Sequence, residues 1–280
     1  MTYQTIDVTP ISGAMGAEVA GVDLSGDLSN AVFDDIHQAY LDHQMLVFRD
    51  QAITPQQQIG FARRFGGVDI YPFMEGLAEA PEVVEILKTE TDQKNFGAGW
   101  HFDTAYLQAP AGGAVLYGLE VPAVGGDTLF ANTYLAYDAL SDGLKATLDG
   151  LTGVNSSALR ASGGRTERMK ELDGMKDQYN EAGLLAAEHP VVRTHPETGR
   201  KALYVNRNHT VRFKDMTEEE SAPVLGYLFQ HLTRPEFTCR LRWTPGAVAV
   251  WDNRCTQHNA VNDYNGYRRR MHRVTISGDA

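Results

Sequence analysis

The sequence predicts a mainly β fold with helical decoration, of the β-sandwich or jelly-roll type. Three observations lead there. Short runs rich in β-branched and aromatic residues, such as MLVFR (45–49), AVLYGLE (114–120) and AVAVWD (247–252), recur between turn residues. FTCRLRW (237–243) alternates strictly, with Phe237, Cys239, Leu241 and Trp243 on one side and Thr238, Arg240 and Arg242 on the other. Helical patterns occur near the N-terminus and as insertions, so helices decorate the core rather than build it.

In chain order, residues 5–23 are β-branched and glycine-punctuated, which predicts short strands. Residues 29–44 place Phe33, Ile36 and Tyr40 at helical spacing, with Ser29 as N-cap. MLVFR then reads as a buried strand. Residues 54–67 form a second helix: Thr54 caps it, Pro55 takes the first turn, and Gly66 or Gly67 ends it. Strands follow at 83–87, 114–120 and 127–131, and one or two helices at 132–150, where Ser141 offers a cap. Residues 160–187 are polar, glycine-broken and weakly periodic, a composition that suits a lid or insert. Residues 188–206 read as strand, turn at PETG, strand. Residues 217–232 read as a helix whose Thr217 and Glu220 match a capping box, with Pro223 pointing to a later start. Strands at 247–252 and 270–277 complete the β-rich C-terminal half. No repeat, low-complexity tract or linker divides residues 1–280, so a single domain is expected.

A formal charge of −11 argues against nucleic acid, whose phosphates require a basic face. Two cysteines, Cys239 and Cys255, are too few for a disulfide scaffold or a cysteine-rich zinc site. No apolar run is long enough to span a bilayer, and no basic-then-apolar leader is evident. A soluble, cytoplasmic protein is expected.

The chemistry centres on GWHFDTAY (99–106). On a strand, residues two apart share a face, so His101 and Asp103 project together while Trp100 and Phe102 face away. A third donor is available in WDNRCTQHNAVNDY (251–264), where His258 follows a polar turn. Two imidazoles and one carboxylate make the facial triad of non-haem Fe(II) oxygenases. The same donors also bind Zn2+, so a zinc hydrolase or a small-molecule sensor stays open on donor type alone. YRRRMHR (267–273) is the one dense basic run. On a strand it places Arg269, Met271 and Arg273 on one face, and one guanidinium grips a carboxylate in bidentate fashion. His37, His43, His189, His195, His231 and His272 show no metal-ligand spacing. Asp252 and Asn253 read as turn formers, and Trp100, Trp243 and Trp251 as core.

The blocks WHFD, GGDTLFAN (125–132), HPVVRTHPETGRKALYVN (189–206), WDNRCTQH (251–258) and YRRRMHRVTISGD occur in order. Together they resemble the taurine dioxygenase / chlorophenoxyacetate dioxygenase family of Fe(II)- and 2-oxoglutarate-dependent oxygenases over nearly the whole chain. The resemblance implies a double-stranded β-helix, a jelly roll of the clavaminate synthase-like type. It implies Fe(II), 2-oxoglutarate and O2, with release of succinate and CO2, and a small anionic substrate. His101, Asp103 and His258 would bind iron. Arg269 and Thr128 would hold the distal carboxylate of 2-oxoglutarate. Arg273 matches an arginine that meets the substrate's anionic group or helps hold the co-substrate. Relatives commonly form dimers or tetramers, so a homo-oligomer is expected.

Three positions depart from the taurine-specific pattern. Tyr71 stands where those members carry a His, and Gly97 where they carry an Asn. His209 stands where they carry an aromatic residue after the YVN strand. Tyr71, Phe96, His209 and Arg273 are therefore expected to meet a larger or more aromatic anion than taurine.

Overall fold

A computed structural model describes residues 3–71, 73–158 and 185–278. The first third of the chain runs β1 (Asp7–Pro10), β2 (Ala17–Ala20), α1 (Asn30–His43), β3 (Met45–Phe48), α2 (Pro55–Arg63), β4 (Val68–Asp69), β5 (Gly76–Leu77) and β6 (Ala80–Lys88). The middle contains β7 (Gly113–Glu120), β8 (Thr128–Asn132), α3 (Thr133–Asp138), α4 (Asp142–Leu148) and β9 (Thr152–Ser156). Then come β10 (Ala186–Pro190), β11 (Val192–Thr194), β12 (Lys201–Leu203), β13 (Thr210–Phe213) and α5 (Glu218–Leu232). β14 (Thr238–Leu241), β15 (Val248–Asp252), β16 (Thr256–Ala260) and β17 (Arg269–Ile276) close the chain.

The large sheet has the order β1-β2-β3-β15-β7-β17-β6-β5, with β4 also pairing β17. The small sheet has the order β14-β8-β16. Strand alternation explains how they face each other. On β3, Met45 and Val47 join Leu116 and Met271 of the large sheet and Phe130 and Leu241 of the small one in an inner core. Leu46 and Phe48 face the other way, onto Ile36 and Tyr40 of α1 and Ile59 and Phe61 of α2. The expected jelly roll with outer helices is what forms. A third cluster packs α5, through Leu225, Leu228 and Leu232, against Leu203, Val205 and Phe213. Among the described residues no helix is long and apolar enough to cross a membrane.

Several local expectations change. α2 stops at Arg63, short of the glycines. Gly67 has another reason to be small: a Cβ there would lie 2.8 Å from Ser277 Oγ, just beyond the end of β17. α5 does not start late. Thr217 and Glu220 form the capping box, and Pro223 lies within the helix, where three buried leucines hold it despite one lost backbone bond. Trp100 is half-buried rather than core. The lid expected at 160–187 lies outside the described residues except for 185–187, of which Ala186 and Ala187 open β10.

Candidate metal centre and co-substrate cavity

His101 does not sit on an extended strand. It forms a one-residue antiparallel bridge to His258 on β16, with His101 N–H to His258 O at 3.1 Å and His258 N–H to His101 O at 3.0 Å. Directly opposed residues of such a pair carry their side chains to the same face, and the two imidazole centroids lie 4.2 Å apart. After His101 the chain turns. Thr104 adopts φ 49° and its Oγ1 accepts from Ala111 N–H at 2.8 Å, which swings Asp103 back beneath the rings. Phe102 points away and stacks on Tyr204 at 4.3 Å, as alternation requires.

Asp103 Oδ1 lies 3.7 Å from His101 Nε2 and 3.6 Å from His258 Nε2. All three residues are buried. Donors about 2.1 Å from one ion stand about 3–3.5 Å apart, so this set closes on a metal with a shift of a few tenths of an ångström. His101 Nδ1 lies 2.8 Å from Gly99 O. A carbonyl only accepts, so the ring proton is on Nδ1 and the Nε2 lone pair is free for an ion. Burial pushes the His258 imidazole down to about 3; Asp103 opposes this, and His101 and Arg273 add to it. The ring is therefore neutral near pH 7. Burial alone would raise the Asp103 carboxyl. Arg273, His258, His101 and the Asn253 hydrogen bond outweigh it and hold the group well below the usual carboxylate range.

The outer oxygen of Asp103 is held from two sides. Asn253 Nδ2 donates to it at 3.0 Å, and Asn253 Oδ1 in turn accepts from Trp251 Nε1 at 3.0 Å. Arg273 Nη2 approaches it at 2.9 Å as a charge contact, with its N–H bonds directed elsewhere.

From the triad a narrow cavity runs between the sheets. Ile86, Phe96, Leu116 and Trp251 give it apolar walls, and Thr128, Arg269 and Arg273 give it polar ones. Arg269 and Arg273 share the inner face of β17, as the basic run predicts, and both are buried. Among the described residues, Arg269 Nε and Nη2 and Arg273 Nε and Nη2 have no hydrogen-bond partner. Thr128 Oγ1 accepts from Trp243 Nε1 at 2.9 Å, so its own proton is left to give to an acceptor in the cavity. Buried donors aimed into one space without acceptors are costly unless an anion fills it.

The family profile described as "Taurine catabolism dioxygenase TauD, TfdA family" matches residues 7–275. The chain belongs to the TauD/TfdA family. As a member it is a 2-oxoglutarate-dependent, non-haem iron dioxygenase, and the zinc-hydrolase and sensor readings fall away. It is 34% identical over 279 residues to an alpha-ketoglutarate-dependent sulfate ester dioxygenase of Pseudomonas putida, covering 98% of this chain and 90% of that one. It is 35% identical over 281 residues to an (S)-phenoxypropionate/alpha-ketoglutarate-dioxygenase of Sphingobium herbicidovorans, covering 98% and 95%. Among solved structures, a taurine dioxygenase from Burkholderia xenovorans aligns at TM-score 0.83 and 35% identity over 99% of this chain and 92% of that one. AAD-2 in complex with Mn(II) and N-oxalylglycine aligns at TM-score 0.79 and 28% identity over 99% of both chains.

The remaining expected residues of this TauD/TfdA chain fall in two shells. Phe96 lines the cavity. Tyr71 packs with Phe73 and Phe96 and lies under Arg273, whose guanidinium carbon is 5.6 Å from the ring centre. His209 is buried, with its ring 6.2 Å from that of His101 and edge-on to it. Asn253 and Trp243, read from sequence as a turn former and a core residue, instead hold Asp103 and Thr128. Their partners come from 150 and 115 residues away, and no local spacing announces them. A second cluster, His195, Asp252 and Cys255, also brings potential metal donors together, although His195 shows no metal spacing in the sequence. Its donors are already committed. His195 Nδ1 accepts from the backbone N–H groups of Glu197 and Thr198, so Nε2 carries the proton and donates to Asp252 at 3.0 Å. Arg254 takes both Asp252 oxygens, at 2.8 and 2.7 Å.

Proposed function

We propose that this dioxygenase oxidises an organic anion with an apolar or aromatic body, held at the metal end of the cavity. In this reading His101, Asp103 and His258 hold Fe(II), and Arg269 and Thr128 hold the distal carboxylate of 2-oxoglutarate. When bound, iron and 2-oxoglutarate supply the oxidising chemistry, consuming O2 and releasing succinate and CO2. The observation that carries the reading is the pair of buried guanidiniums on one face of β17, each with Nε and Nη2 donors that no described acceptor takes. They stand four residues apart, about 13 Å along an extended strand. One anion therefore does not occupy both. Arg269 lies deep, with its guanidinium 5.7 Å from the Trp243 ring, and suits the tail of the dicarboxylate. Arg273 lies beside Asp103 and serves an anion next to the metal.

The chain's own groups divide the remaining work. The Thr128 hydroxyl, oriented by Trp243, donates to the co-substrate carboxylate. Neutral His258 and the His101 ring, fixed through Gly99 O, present lone pairs without first losing a proton. Phe96, Ile86 and Leu116 exclude water from the reacting carbon. The aromatic cluster of Tyr71, Phe73 and Phe96 favours an aryl or alkyl body over the short polar chain of taurine. Relatives named for sulfate esters and for phenoxypropionate agree with that class. Assembly into a homo-oligomer belongs to the same family-based reading.

The test is a panel of aryloxyalkanoates, alkyl sulfates, sulfonates and taurine. Succinate and product mass are measured with Fe(II) and 2-oxoglutarate each present or omitted. Apolar-bodied anions are expected to couple succinate to product, with both additions required. Taurine giving the highest kcat/KM of the panel would overturn the substrate assignment.

A further inference from the structure

The last residue of β6, Lys88, stands directly across from Arg269 in the antiparallel register of β6 and β17. Opposed residues share a face, and the same row continues with Ile86 across from Met271, where Ile86 lines the cavity. Lys88 is only 3% exposed, and among the described residues its Nζ has no hydrogen-bond partner. Nζ lies 4.6 Å from the centre of the Tyr264 ring, and the buried Asp92 carboxylate attracts it without a hydrogen bond to Nζ. The hydroxyl of that same Tyr264 also attracts Arg269. Two buried cations thus meet around one tyrosine, and both keep unpaired donors.

This arrangement is unfavourable by itself. Like charges directly opposed across a ladder repel, and an ammonium has three donors that a ring face does not satisfy. The other cations of this strand region are paired: Arg270 with Glu85 at 2.6 Å and Arg268 with Glu120 at 3.0 Å. The cost is relieved by an anion that enters from the cavity and faces both groups.

We propose that Lys88 is a second cationic anchor of the co-substrate, sharing with Arg269 the distal carboxylate of 2-oxoglutarate. The inference rests on the co-substrate reading given above and adds a residue to it. Arg269 would make the directional, bidentate contact, and Lys88 would add charge from the adjoining strand. Tyr264 would keep the two cations apart.

The experiment is calorimetric titration of Mn(II)-loaded wild type, Lys88→Met and Lys88→Gln with two keto acids. One is 2-oxoglutarate; the other is 2-oxopentanoate, of equal length but without the distal carboxylate. Both variants are expected to bind 2-oxoglutarate roughly tenfold more weakly, one decade for a lost charge contact, and 2-oxopentanoate as wild type does. Metal-free Lys88→Met and Lys88→Gln are expected to melt at or above the wild-type temperature, because a buried ammonium whose donors have no hydrogen-bond acceptor has gone. Unchanged affinity for 2-oxoglutarate, equal weakening for both acids, or a lower melting temperature would each overturn the role of Lys88. Failure of wild type itself to prefer 2-oxoglutarate would instead overturn the co-substrate reading, and the anchor with it.

Discussion

Asn253 donates its amide hydrogen to the outer oxygen of Asp103 at 3.0 Å, across 150 residues of sequence. Trp251, two residues earlier, fixes which way that amide points by donating to its oxygen. The turn between β15 and β16 therefore orients a carboxylate that faces a histidine on β16 itself. Replacing Asn253 with Ala removes the donor and frees Asp103 to rotate. A loss of roughly 10–100-fold in metal affinity is expected, the usual cost of deleting an outer partner of a ligand. Co(II) titration with an absorption readout measures it. Asn253→Asp should be worse, because it sets a second negative charge against the first. An unchanged Co(II) affinity in both variants would show that Asp103 is held by Arg273 alone.

Thr128 and Trp243 act as a donor relay at the other end of the cavity. Trp243→Phe keeps the ring but removes the N–H that occupies one lone pair of Thr128. The hydroxyl then loses its fixed orientation. The KM for 2-oxoglutarate should rise about 3–10-fold, the worth of one hydrogen bond, with kcat little altered. Thr128→Val should match or exceed that effect. A fall in kcat at constant KM would place Thr128 in the chemical step instead of in binding.

Much of this was legible in the sequence because it is local. Capping boxes at Thr54 and Thr217, the alternation of 237–243 and the shared parity of Arg269 and Arg273 all follow from neighbours along the chain. His101 and Asp103 do come together beside His258, but not by the route the sequence suggested. Their common face comes from a turn at Thr104, not from strand periodicity. What remained hidden depends on pairing between distant segments. Lys88 acquires meaning only from its register with Arg269, and Asn253 only from the cross-sheet turn that brings it to Asp103.

The metal-free protein should lose stability on mild acidification. Burial lowers His258 to about 3 in the folded chain, against an ordinary value of 6.5. Between those values the unfolded chain binds a proton that the folded chain refuses. Stability is thus complete above pH 6.5 and falls as pH drops toward 3, by about 2 kcal/mol between pH 7 and 5 for this group alone. Burial also lowers His43, His189 and His272, which act in the same direction. Asp103 and Asp252 are held low, so their contributions are lost only at more acidic pH. Thermal melts of the chelator-treated protein from pH 7.5 to 5 should show the slope, and His258→Gln should flatten it. A melting temperature constant over that range would contradict the neutral, buried His258.

The His195–Asp252–Cys255 cluster should behave as a structural network rather than a second metal site. Both ring nitrogens of His195 are spent, Asp252 is taken by Arg254, and burial raises the Cys255 thiol well above its ordinary value. A metal would have to displace a guanidinium and strip two protons in a place closed to water. Metal titration should therefore give one equivalent per chain, abolished by His101→Ala and unaffected by Cys255→Ala. Asp252→Asn, by contrast, leaves the half-buried Arg254 guanidinium with only its outer partner Glu197, 2.7 Å away, and removes the charge from a buried carboxylate site. That change should cost roughly 3 kcal/mol, the scale for breaking a buried ion pair from one side, read from urea unfolding. Two metal equivalents in wild type, falling to one in Cys255→Ala, would show that the cluster opens to accept an ion.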